Sequence, residues 1–83
     1  MTIDERVASI ISFEADWPPD RVTPRVMIDR LGFDSLDFID VLCKLEVEFQ
    51  IEIPTAAAAD CQTVGELTGL IGAMINRARA ERA

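Results

Sequence analysis

"LGFDSLDFIDVLCKLEVEFQIEIP", residues 31–54, decides how the rest of the chain is read. Asp34 and Asp37 stand three apart where an apolar period begins. At that spacing one carboxylate caps a helix and the other sits in its first turn, where the helix dipole favours negative charge. Phe38, Leu42, Leu45 and Phe49 follow at intervals of four, three and four, one stripe of a helix turned toward a core. "QIEIP" then reads as a short extended exit that Pro54 stops. Between the two aspartates stands Ser35, a hydroxyl whose nearest charged neighbours are anions.

Upstream, Thr2 and Glu5 form a capping box, and Ile3, Val7, Ile10 and Ile11 keep a helical period that predicts a helix over residues 3–15. Trp17-Pro18-Pro19 stops it, because each proline ring excludes the helical conformation from the residue before it. Residues 16–33 then form a long loop whose apolar members, Val22, Val26, Met27, Ile28 and Leu31, are expected to pack over the core. Downstream, "TAAAADC" at 55–61 is expected to make a short helical turn or two. Thr63 and Glu66 are a further capping box, opening a last helix that runs through Val64, Leu67, Leu70, Ile71, Met74 and Ile75 to about residue 79. Gly65, Gly69 and Gly72 each weaken that helix by about 1 kcal/mol relative to alanine, or let a neighbouring helix approach closely. The expected fold is all-α: one domain over residues 1–83, a small antiparallel bundle of three main helices and one short helix.

A chain of 83 residues buries only about 60–65% of its unfolded surface, which leaves little room for a deep cleft. Fifteen acids against eight bases give a net charge of −7. Such a molecule repels nucleic acid and acidic lipid and is drawn to basic protein surfaces. No segment reads as a signal peptide or a membrane span, so a cytoplasmic monomer is expected. Cys43 and Cys61 are too few and too far apart for a disulfide scaffold, and without histidine no zinc set can be completed.

Three roles are open to Ser35. A nucleophile needs a base within reach and donors for the oxyanion it makes. The chain has no histidine or tyrosine, and Lys44 lies nine residues on, more than two helical turns away, so catalysis by Ser35 is not expected. A capping role is compatible with its position, although Asp34 with Asp37 is the better capping pair. In the third role Ser35 is an attachment point: a phosphate ester there meets the positive end of the helix and its free backbone N–H groups.

The same stretch resembles the acyl carrier proteins of type II fatty-acid synthesis and their relatives. "TIDERVASII" is similar to the family's first helix, "RVTP" at 21–24 to the start of its loop, and Asp34-Ser35-Leu36 to its attachment motif. Phe49, Ile51, Ile53 and Pro54 are similar to the end of its second helix, and "TVGEL" at 63–67 to the start of its last. The triplet alone means little; the ordered set covers nearly the whole chain. The resemblance implies that a phosphopantetheinyl transferase joins the 4'-phosphopantetheine of coenzyme A to Ser35 through a phosphodiester. It further implies that the thiol of that arm carries acyl groups as thioesters, that the protein is no enzyme itself, and that the acyl chain can fold back into the helical core.

On a helical wheel, Leu36, Cys43 and Val47 form an apolar strip displaced from the core stripe, with Asp40 and Glu46 beside it. Between residues 34 and 52 stand six acids (34, 37, 40, 46, 48, 52) and one base, Lys44. A modest apolar strip with acidic neighbours suits brief, repeated docking, since charge speeds encounter and a small contact lets the partner leave. The expected docking set is Asp34, Leu36, Asp37, Asp40, Cys43, Glu46 and Val47, with Cys43 a contact residue and not a second thioester site. Partners implied by the resemblance are basic-faced acyl synthases, reductases and acyltransferases. Arg30, Lys44, Val47, Trp17-Pro18-Pro19 and "TAAAAD" depart from the pattern of the commonest bacterial members, which points to a specialised lipid, polyketide or peptide pathway. The aspartates at 34 and 37 look more like the fatty-acyl and polyketide branch than like an aminoacyl or peptidyl carrier. Outside the carrier class the rival is an unmodified acidic helical adaptor.

Overall fold

Thr2 opens the first helix, α1 (Ile3–Ala15), by the predicted reciprocal pair: its hydroxyl accepts the Glu5 N–H at 3.1 Å and the Glu5 carboxylate accepts the Thr2 N–H at 3.2 Å. The computed structural model from which these distances come describes residues 1–82. The prolines are not what ends α1. Asp16 takes the left-handed conformation, φ 58°, and the helix stops before the chain reaches Trp17. Buried Ser12 then clamps the turn, its hydroxyl donating to the Trp17 carbonyl while its own carbonyl accepts the Trp17 N–H at 3.1 Å.

The long loop is more ordered than its length predicts. It contains two 3-10 turns, Pro19–Arg21 and Ile28–Leu31, buries Val22 and Leu31 and packs Val26 and Ile28 against the core as expected, but leaves Met27 exposed. Its middle is fastened to the start of the last helix. Ile28 N–H donates to Gln62 O at 2.8 Å, while the N–H groups of Val64 and Gly65 donate to Val26 O and Pro24 O, each at 2.9 Å. Those bonds occupy N–H groups that a helix start leaves without an intrahelical partner. They also fix one glycine: a Cβ on Gly65 would come within 3.0 Å of the Pro24 carbonyl. Gly69 and Gly72 would meet nothing within 4 Å, so close approach is the reason for Gly65 alone.

The second helix, α2 (Ser35–Phe49), is capped by Asp34, whose carboxylate accepts the Asp37 N–H at 2.8 Å while Asp37 returns the favour to Asp34 N–H at 3.2 Å. A short α3 (Thr55–Ala59) follows the extended exit, and α4 (Val64–Arg82) closes the chain, three residues longer than its period predicts. Its cap differs in one detail: Thr63 accepts the Glu66 N–H, but the Glu66 carboxylate reaches back to Gln62 N–H and not to Thr63. No strand forms among the described residues; an isolated bridge joins Met27 and Thr63.

The core lies where α1, α2 and α4 meet, built from Val7 and Ile11, Val41 and Leu45, and Leu67 and Ile71, with Ile51, Ile53 and Ala58 closing one side. The predicted stripe on α2 faces the core, Leu42 and Leu45 buried and Phe38 and Phe49 half-buried against it, and Val41, outside that stripe, is fully enclosed as well. Two ion pairs show α1 and α2 to be antiparallel, Arg6 to Glu48 and Glu14 to Lys44, both at 2.6 Å. Arg6 also donates to the Glu48 carbonyl and lies over the Phe49 ring, 4.4 Å from its centroid. With both members about two-fifths exposed, such a pair contributes at most about 1 kcal/mol; it sets the register of two helices that the core holds together.

Candidate functional site

Ser35 is the first helical residue of α2, and it is exposed. Because Asp34 and Asp37 already satisfy the cap between them, the serine is not needed for it, and its hydroxyl makes no hydrogen bond among the described residues. Gly32, at φ 76°, delivers the chain to this point: the left-handed turn after Leu31 swings Phe33 and Asp34 into line with the helix axis, a conformation costly for any residue with a Cβ.

Beside Ser35 opens a cavity of about 290 Å³ between the loop, the first turn of α2 and the end of α3. Ile28, Phe33, Phe38, Ala59 and Cys61 give it an apolar wall; Asp29, Asp34 and Ser35 form its lip. The sequence alone did not bring Ile28, Ala59 and Cys61 to the serine, because they come from two other segments, the long loop and the end of α3 with the turn after it. The Cys61 thiol is pushed above its ordinary 9.0, first by burial and then by the negative charges of Glu66 and Asp60. It stays protonated at neutral pH and is a poor nucleophile.

The predicted docking residues divide. Leu36 is 74% exposed and Val47 78% exposed, and Cys43 and Asp40 are exposed with them, so the strip is present on the outer side of α2. Ile39, 48% exposed, belongs to it and was missed; its spacing of three from Leu36 and four from Cys43 was the available signal. Glu46 is half-buried and its carboxylate accepts the Ile53 N–H at 2.9 Å, which ties it to the exit segment. Glu48 is held by Arg6, and Lys44 by Glu14, whose hydrogen bond raises the Lys44 ammonium above its ordinary 10.5. Asp40 and Glu52 are left without a hydrogen bond or ion pair among the described residues.

Residues 5–71 match the family model described as the phosphopantetheine attachment site. The chain is also 44% identical over 68 residues to the acyl carrier proteins of two Caulobacter vibrioides strains, covering 81% of this chain and 87% of theirs. The acyl carrier protein of Phenylobacterium zucineum matches at 44% over 68 residues, 86% of its length. This chain belongs to the acyl carrier protein family. Its residues also fit the group that such a carrier holds: an exposed, unengaged hydroxyl at the positive end of a helix suits a phosphodiester, and the apolar wall beside it suits a stem that must leave water. Among the described residues no cluster could hold a metal ion, and no helix is long and apolar enough to cross a membrane.

Proposed function

We propose that Ser35 is the residue that bears 4'-phosphopantetheine, and that this acyl carrier protein passes acyl groups between enzymes of fatty-acid or specialised lipid or polyketide synthesis without catalysing a step. The observation that carries the reading is the serine hydroxyl itself, exposed, free of the cap, and bordering the cavity. In the loading step the Ser35 oxygen bonds to the phosphorus of the phosphopantetheine half of coenzyme A, the pyrophosphate bond breaks, and adenosine 3',5'-bisphosphate leaves. Once attached, the group supplies a thiol on which acyl chains ride as thioesters. The chain's own contribution is presentation. Asp34 and Asp37 fix the first turn and leave the backbone N–H groups of Ser35 and Leu36 without an intrahelical partner, available to an ester, and the apolar wall would take up the stem or its cargo.

Sequestration has a physical drive: each methylene withdrawn from water gains about 0.8 kcal/mol, so an eight-carbon chain gains up to about 6 kcal/mol before the cost of opening the cavity. Phosphopantetheinyl transferase and basic-faced synthases, reductases and acyltransferases would meet the acidic outer side of α2, with Leu36, Ile39, Cys43 and Val47 as the apolar contacts and Asp40 as the free charge.

Incubation of the apo protein with coenzyme A and a broad-specificity phosphopantetheinyl transferase, followed by intact-mass measurement, tests the reading. A gain of one phosphopantetheine that disappears in Ser35→Ala is expected. No gain under conditions that load a control carrier would leave an acidic helical adaptor as the better account.

A further inference from the structure

Phe13 is 81% exposed, on a helix whose other large apolar side chains apart from it turn inward or sit against the core. It stands three residues from Ile10, on the same side of α1. Ile10 forms one wall of an open, mainly apolar groove of about 520 Å³ that runs between α1 and α2; the others are Asp40, Cys43, Lys44, Val47 and Glu48. Lys44 joins the two features. Its ammonium is drawn to Glu14 at 2.6 Å and lies 5.2 Å from the centre of the Phe13 ring, so the aromatic side chain, which does not itself line the groove, stands next to it behind the lysine head.

We infer that this inter-helix groove, flanked by Phe13 on the far side of Lys44, is the seat for an apolar side chain presented by a basic partner protein. The inference rests on the carrier reading above and deepens it, since Cys43 and Val47 belong both to the groove and to the α2 strip.

Charge chooses the occupant. The one cation lining the groove, Lys44, is paired with Glu14, and the groove residue Glu48 with Arg6, whereas Asp40, near enough to help raise the Lys44 ammonium, makes no ion pair among the described residues. The surrounding helix carries six acids against one base between residues 34 and 52. A second copy of the chain, bringing another net charge of −7, would be repelled. A lysine- or arginine-rimmed surface with a protruding leucine, methionine or phenylalanine is complementary in both respects: its apolar knob fills the groove and its cations face Asp40.

The test is a titration of the isotope-labelled full chain with a synthetic amphipathic helical peptide, a leucine stripe flanked by lysines, followed by amide shifts. The shifts are expected to centre on Ile10, Phe13, Cys43 and Val47. Phe13→Ser is expected to weaken the peptide about tenfold, the scale of a side chain at the centre of a contact, and Phe13→Leu to restore it. Val47→Ser should weaken it similarly, which keeps the test valid should Phe13→Ser disturb folding. Three outcomes would overturn the inference: shifts centred on Leu36 or on the cavity beside Ser35, equal affinity for a glutamate-flanked version of the peptide, or self-association of the chain that Phe13→Ser abolishes. Loading of Ser35 is scored separately. A chain that takes up phosphopantetheine yet ignores the peptide defeats this inference alone; one that binds the peptide in the groove yet is never loaded defeats the carrier reading alone.

Discussion

Val41, Leu42 and Leu45 on one side of α2 and Leu36, Ile39 and Val47 on the other are the same kinds of residue in the same helix. The first three are enclosed by α1, α4 and the exit segment, and the second three face water. Burial of aliphatic side chains stabilises the fold, so the inner set is explained by folding alone. The outer set is not. Scattered apolar residues on a surface need no explanation, but here they share the helix that Ser35 opens and continue into a groove. One helix therefore carries two apolar faces, one that the core uses and one that the proposed docking would use.

Substitutions can break that comparison. Leu45→Ala on the inner face should lower unfolding free energy by about 2–5 kcal/mol in urea titration, through lost burial and the cavity left behind. Val47→Ala on the outer face should change it by less than about 0.5 kcal/mol; a loss comparable to that of Leu45→Ala would mean that the outer face serves the fold after all.

Smaller effects sharpen the picture at the ends of the helices. Asp34→Ala removes the cap of α2 and should cost about 1 kcal/mol, with the loss seen as faster amide exchange in the first turn around Ser35. At the other end Gln50 is held at φ 53°, a left-handed conformation that glycine tolerates better, so Gln50→Gly should stabilise by about 0.5 kcal/mol despite removing a side chain. A drop in the urea midpoint would show that the Gln50 side chain contributes more than its backbone strain costs.

The smallest effect is a pH dependence. Glu5 is held below its ordinary 4.5 by the Thr2 backbone N–H and then by the Thr2 hydroxyl. A depressed folded value means that the contribution is complete above the unfolded value and is lost as pH falls through the folded one. Thermal melts of the wild type should therefore show a small extra decline below about pH 4.5 that Glu5→Gln removes. Parallel curves for the two proteins would show that the box is not coupled to folding.

Legibility followed the range of the interaction. Caps depend on residues three apart, so Thr2 with Glu5 and Asp34 with Asp37 could be read directly and formed as expected. Val41 escaped because a single-stripe period marks one line of a helix, whereas α2 is covered over a wider arc and encloses the neighbouring position as well. Ser35 was legible as a candidate, its cavity was not, since Ile28, Ala59 and Cys61 are brought there by tertiary packing. The acids were the least legible. Their count gives the sign of the face but not which carboxylates are engaged: Glu46 and Glu48 are held by Ile53 and Arg6, partners seven and forty-two residues away.

The seam between residues 24–28 and 62–65 has a reach beyond its own bonds. It moors the strand of chain that leads up to the serine onto the base of the final helix, although α4 lends no side chain to the cavity there. A truncated protein ending before residue 62 would keep every letter of the motif and lose the mooring of the doorstep in front of it. Presentation of that single hydroxyl thus waits on residues 62–65 being synthesised and docked.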